Sequence, residues 1–188
     1  SQYCFFVCTT FDSFLNDLYI EQLKSNITPN YLRDIQPNHM ACLLLSLIEQ
    51  IEYGVEYQHT TIALANMLAK KLEKYGFNIA KISDEVYTMT HQIFLLMTKK
   101  ETDFFYNQAL DYNISLNQKH KKLFSEDGIR LGTQQIARYN WEEQDIDELA
   151  KLLFLIKHKG SLNEIKTIRK KLIDKKIPHF TYNEIIIE

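Results

Sequence analysis

The sequence predicts an α+β fold, with helices and strands gathered in runs. Three observations carry that expectation. Up to Gly76 the chain holds long stretches with apolar side chains at helical spacing. From Phe77 the period shortens to β-rich runs broken by brief helical ones. Finally, two amphipathic stretches close the chain, each opening on a capping residue.

The elements follow in order. Tyr3 to Thr9 is aromatic and β-branched enough for a buried strand, and Leu18 to Leu23 gives a short second one. Thr28-Pro29-Asn30 and Gln36-Pro37-Asn38 mark residues 26–38 as a loop. An apolar helix runs from about Asn38 to Tyr53, Gly54 interrupts it, and a second spans Val55 to Tyr75. The stripe of the second is Ile62, Ala65, Met67, Leu68, Ala69 and Leu72, and Gly76 stops it. Phe77–Ile82 and Tyr87–Met97 read as strands, Thr102–Asp111 as a helix, and Ile114–Leu116 as the start of another strand. Lys119 to Lys122 makes a basic turn, and Ile129–Thr133 is a strand. Asn140 with Glu143 caps a helix reaching about His158, which Gly160 ends. Ser161 with Glu164 repeats that logic for a last helix to about Lys176.

At 188 residues the chain can bury a real core as one domain, or one and a fragment. Its 45% hydrophobic and 24% charged residues are a globular balance. A net charge of −2 gives no field to attract nucleic acid or an anionic membrane. The longest apolar run, Ala41 to Ile48, is broken by Ser46 and falls short of the roughly 20 residues that span a bilayer. Tyr3-Cys4-Phe5-Phe6-Val7 does not read as a signal peptide, and the cytoplasm is the expected compartment. Cys4, Cys8 and Cys42 show no Cys-x-x-Cys pair, so buried reduced thiols are expected in place of a metal site.

The most informative segment is Gly128-Ile129-Arg130-Leu131-Gly132-Thr133, running on through Gln134-Gln135-Ile136-Ala137 to Arg138. Upstream come Glu56-Tyr57-Gln58, then Ala65-Asn66-Met67-Leu68-Ala69-Lys70-Lys71-Leu72 and Gly76. Next is Thr90-His91-Gln92-Ile93-Phe94-Leu95-Leu96, and beyond the motif an acidic helix start at Glu142-Glu143-Gln144-Asp145. In this order the segments resemble the serine hydroxymethyltransferase-like family of fold-type I pyridoxal-phosphate enzymes, over roughly Phe5 to Lys159.

The resemblance implies the small carboxyl-terminal domain of such a transferase, a mixed or antiparallel sheet with packed helices. Residues 1–36 would be a remnant of the large cofactor domain, 37–76 connecting helices, and 77–188 the small domain. It implies that Arg138 grips the α-carboxylate of an amino-acid substrate, a planar two-pronged contact suited to a guanidinium. It also implies pyridoxal phosphate as cofactor, with His39 at the helix start near the phosphate loop as a cofactor ligand.

The departures set a second expectation. Where the family carries its Schiff-base lysine this chain places Asp12, and a carboxylate cannot form an imine. Asp12 is then a drifted position or a new acid. Lys24, the first lysine, falls beyond the strand end. Leu15-Asn16-Asp17-Leu18 replaces a glycine-rich segment, and Gln36-Pro37-Asn38 shortens a phosphate-binding loop. No catalytic residue is therefore assigned. The expected role is a degenerate partner or regulatory subunit that completes an amino-acid pocket on a related chain, in a homo- or hetero-oligomer. The alternative is an active aldolase or hydroxymethyltransferase on β-hydroxy amino acids, complemented by another chain. Met40 to Ile51, apolar on more than one face, is the expected interface.

Among the other candidates, Arg130 is expected to pair structurally with Asp127 or Glu126. His91 on its apolar strand reads as a core or interface histidine, with a catalytic base as the alternative. Lys166, Arg169, Lys170, Lys171, Lys175 and Lys176 form the solvated face of an amphipathic helix, opposite Ile165, Ile168, Leu172 and Ile173.

Overall fold

The computed structural model describes residues 37–121, 126–175 and 178–182. The strands expected at Tyr3–Thr9 and Leu18–Leu23, with Cys4, Cys8, Asp12 and Lys24, lie outside the described residues. Contacts divide the chain into two compact units, Ser1–Leu47 and Ile48–Glu188.

One helix, α1 (Pro37–Lys74), stands where two were expected. Pro37 suits a first helical position, where its missing N–H is not needed. Gly54 does not break the helix: it costs about 1 kcal/mol relative to alanine. The buried stripe that follows it, Tyr57, Thr61, Leu64, Ala65, Leu68, Ala69 and Leu72, more than offsets that cost. Ile62 and Met67, expected on the stripe, lie half-buried at its edge.

The strand expected at Phe77–Ile82 shrinks to one bridge, Ile79 with Leu95. Around it Ala80 N donates to Phe94 O (2.9 Å) and Leu96 N to Asn78 O (2.8 Å). Ile82 and Ser83 then both donate to Val86 O, closing a turn. Strand β1 begins at Gln92, not Tyr87, and runs to Met97. A side chain of α1 holds the residues before it: Asn66 Oδ1 accepts from Tyr87 N (2.9 Å) and its Nδ2 donates to Thr88 O (2.9 Å). With its amide groups bonded to a helix residue, that stretch has no free ladder to offer a strand.

Helix α2 (Lys99–Asp111) starts before the expected Thr102 because Thr98 and Glu101 form a capping box. Strands β2 (Asn117–Lys121) and β3 (Glu126–Gly132) follow. The strand expected at Ile114–Leu116 thus lies further along, and the lysine at 119 belongs to it. As an edge strand it can carry charge that a central strand could not. The sheet is antiparallel in the order β1-β3-β2, with Leu95 opposite Ile129 and Phe94 opposite Arg130.

A short helix not foreseen in the sequence, α3 (Gln134–Arg138), leaves the end of β3. Helix α4 (Glu143–Lys157) starts on Glu142, not Asn140. Asn140 instead adopts φ 49°, a left-handed turn position that asparagine tolerates, and Asp145 accepts from Glu142 N (2.7 Å). Helix α5 (Leu162–Asp174) opens at Ser161, but the expected box does not form there. Ser161 makes no side-chain cap bond, and Glu164 pairs with Lys151 at 2.6 Å instead.

Alternation along the strands sets two faces. Ile93, Leu95, Met97 and Ile129 are buried, and α2 packs against β1 and β3 and against α4, which packs on α5. Phe105, Ile146, Ile156 and Ile165 are fully enclosed in this core. The other sheet face carries Phe94, Leu96 and Arg130, each half-buried.

Candidate functional site

The motif strand is fixed by a close backbone approach. A Cβ at Gly128 would sit 2.0 Å from the Leu95 carbonyl oxygen, so only glycine lets β3 lie against β1 there. At the other end Thr133, fully buried, donates from Oγ1 to Thr61 O at 2.8 Å and from its N–H to His91 O at 3.2 Å. These bonds tie the start of α3 to α1 and to β1. Tyr57 OH donates to Gln134 O at 3.2 Å from the α1 side.

Arg138 leaves α3 into a tight cluster. Its Nη1 donates to Glu49 Oε2 at 3.2 Å and to Phe180 O at 3.5 Å, and the guanidinium lies 5.3 Å from the Tyr57 ring centroid. Glu49 is only 7% exposed. Burial alone would push its carboxyl up. The Thr181 hydroxyl and the Arg138 guanidinium outweigh burial and hold it below the ordinary 4.5. Thr181 donates to the other Glu49 oxygen, Tyr182 to Glu52, and His179 N to Arg138 O at 2.8 Å. The Glu52 carboxylate raises the Tyr182 hydroxyl to about 12. Phe180 stacks edge-on against Tyr57, with centroids 5.7 Å apart. It sits at φ 55°, a left-handed strain of about 1 kcal/mol for a bulky residue, which the packing and bonds around it offset.

Arg130 does not pair with Asp127, and the side chain of Glu126, the other expected partner, lies outside the described residues. Asp127 and Arg130 project from opposite faces of β3, because side chains alternate along a strand. Its partner is a neutral amide: with the Asn117 side chain in its satisfied orientation, Oδ1 accepts from Arg130 Nη2 at 2.7 Å. The motif therefore offers two guanidiniums of different standing. Arg138 is neutralised within the chain, and Arg130 meets no acidic partner among the described residues. Strand alternation parts Arg130 from Asp127, and the register of β2 against β3 sets Arg130 beside Asn117.

The remaining candidates are dispersed. His39 is exposed in the first turn of α1 and lines a shallow cavity of about 250 Å3 with Cys42, Leu43 and Ser46. Cys42, expected to be buried, is exposed. His91 is half-buried, with Nε2 3.1 Å from the Gln92 amide nitrogen, and its carbonyl receives Thr133. An imine-forming lysine needs its amine held neutral. Lys71, Lys81, Lys151 and Lys175 are all moved the other way, by Glu143, Glu73, Glu164 and Asp145 in turn. None of these four offers such an amine.

The fold, a small α+β domain with a three-stranded antiparallel sheet, is similar to part of a fold-type I pyridoxal-phosphate enzyme. The crystal structure of L-threonine transaldolase from Pseudomonas fluorescens in its internal aldimine state superposes with a TM-score of 0.65, over 75% of this chain and 33% of that one, at 19% identity. In sequence the chain is similar to serine hydroxymethyltransferases. It is 27% identical to that of Methanosphaera stadtmanae over 134 residues, covering 68% of this chain. It is also 27% identical to that of Methanocaldococcus jannaschii over 147 residues, covering 71%. The chain spans about a third of the length of these relatives, 32% and 33%, and corresponds to their carboxyl-terminal portion. No family model matches it.

Proposed function

We propose that this chain works as a pocket-completing partner, docking onto a related chain that carries the cofactor lysine and adding a guanidinium for an amino-acid carboxylate. The observation that carries this reading is the apolar side of α1 that the described residues leave exposed. Ile48, Ile51 and Val55 are 42%, 76% and 75% exposed, a contiguous ridge of the kind that marks an interaction surface. Earlier turns of the same helix expose Met40 and Leu44 as well. Such a ridge fits a surface made to be covered by a partner.

Arg130 is the guanidinium for the carboxylate in this reading, in place of Arg138. A ligand at Arg138 must displace Glu49, a buried carboxylate with two donors of its own. At Arg130, among the described residues, it competes with an amide. The contact is charge-assisted and two-pronged, which a lysine cannot reproduce.

The test combines the chain with a lysine-bearing relative and titrates L-serine by calorimetry. Complex formation should raise serine affinity, and Arg130→Lys should lower it by roughly tenfold. Arg138→Gln should leave affinity near its starting value. No complex, or loss of affinity through Arg138 alone, overturns the reading. Catalytic turnover by the mixed chains, with a borohydride-reducible band on the relative's lysine, would favour the active-enzyme alternative.

A further inference from the structure

Between α3, α4 and α5 the surface folds into a groove of about 360 Å3. Ile114, Ile136, Leu149 and Leu172 form its walls, and the Trp141 and Tyr139 rings line it beside them. Trp141 is held in place by its indole N–H, which donates to Lys175 O at 3.1 Å. One charged side chain stands among these apolar ones. Arg169 is half-buried, and its Nη2 donates to the Asn113 carbonyl at 3.5 Å, a long contact. Unlike Arg138, it meets no carboxylate among the described residues.

We propose that this groove binds a small amphipathic carboxylate, its aliphatic or aromatic body against the Ile136, Leu149 and Leu172 walls and its carboxylate on Arg169. The chemistry selects this class on two counts. Apolar side chains with a few convergent polar groups are the usual make-up of a small-molecule site, and the volume falls in the usual range. Among the described residues the groove is lined by no aspartate or glutamate, so the ammonium of an α-amino acid would find no counter-charge from them. A monocarboxylate with an apolar tail leaves no such group unpaired. The site is thus separate in chemistry from the amino-acid pocket proposed above, and it stands or falls independently of it.

Trp141 is the only tryptophan in the chain, so its emission reports on the groove alone. Sodium octanoate titrated into the full chain should give a saturable shift of that emission. Arg169→Gln should weaken octanoate roughly tenfold while leaving 1-octanol unchanged. Ile173→Asp, at a rim position 41% exposed where folding is not at stake, places a competing carboxylate near Arg169 and should also weaken octanoate. Three results would overturn the proposal: no saturable shift, octanoate binding equally well to the Arg169→Gln protein, or an emission shift that follows protein concentration without ligand. The last would assign the groove to a second copy of the chain.

Discussion

Arg138 Nη1 lies 3.2 Å from Glu49 Oε2, across 89 positions of sequence, and the pair fastens residues 178–182 to α1. The residue expected to hold a ligand holds the protein's own chain. With 9% of the Glu49 side chain and 30% of the Arg138 side chain exposed, the pair is mostly withdrawn from water. Removing one partner therefore costs more than the bond itself is worth.

Arg138→Gln should destabilise the chain by about 2 kcal/mol, since it leaves Glu49 buried without its cation. Replacing both residues with apolar ones of similar size, Glu49→Leu with Arg138→Met, should cost less than the single change. Urea melts of the two variants and the parent decide the matter. A single variant as stable as the parent would remove the clasp from this account.

Acid should loosen the same clasp. Glu49 and Asp145 both have folded values depressed below their ordinary ones, in each case because donors outweigh burial. For Asp145 those donors are the Lys175 ammonium and the Glu142 N–H. Depressed carboxylates contribute stability that is complete above the unfolded value and lost as pH falls through the folded one. Thermal midpoints should therefore hold steady above pH 4.5, the ordinary value for Glu49, and decline below it. Glu49→Gln should flatten part of that decline, and an unchanged profile would rule Glu49 out as a source.

Gly128→Ala should cost about 3 kcal/mol, because a Cβ placed 2.0 Å from the Leu95 carbonyl forces β1 and β3 apart. Hydrogen exchange should show lost protection along both strands, with α4 and α5 affected far less. Uniform loss across the domain would mean that the sheet and the helices unfold as one unit.

Asn66→Ala removes the side chain that holds Tyr87 and Thr88 to α1. It should lower stability by about 2 kcal/mol and make the Ile82–Met89 loop the first site of proteolysis. Cleavage elsewhere at the same rate would show that the loop is held by other contacts.

The sequence by itself determined the α+β class, the last two helices, the motif strand and the family likeness. These are local matters: helical spacing, β-rich runs, glycines at fixed offsets. It misplaced the cap at Asn140, where Glu142, Glu143 and Asp145 crowd the helix start, and it placed Ser161 correctly but foresaw a box there that does not form. Which of them bonds the first turn depends on what the others meet, as Glu164 meets Lys151. Only the tertiary structure gave the two arginines of the motif their partners. Arg138 looked available from its neighbours in sequence, and its partner Glu49 comes from a helix that local reading divides at Gly54. Arg130 looked paired with Asp127, yet the strand turns those side chains to opposite faces and sets Arg130 beside Asn117. A charge's freedom depends on which distant group folding brings within reach of it, and sequence spacing does not hold that distance.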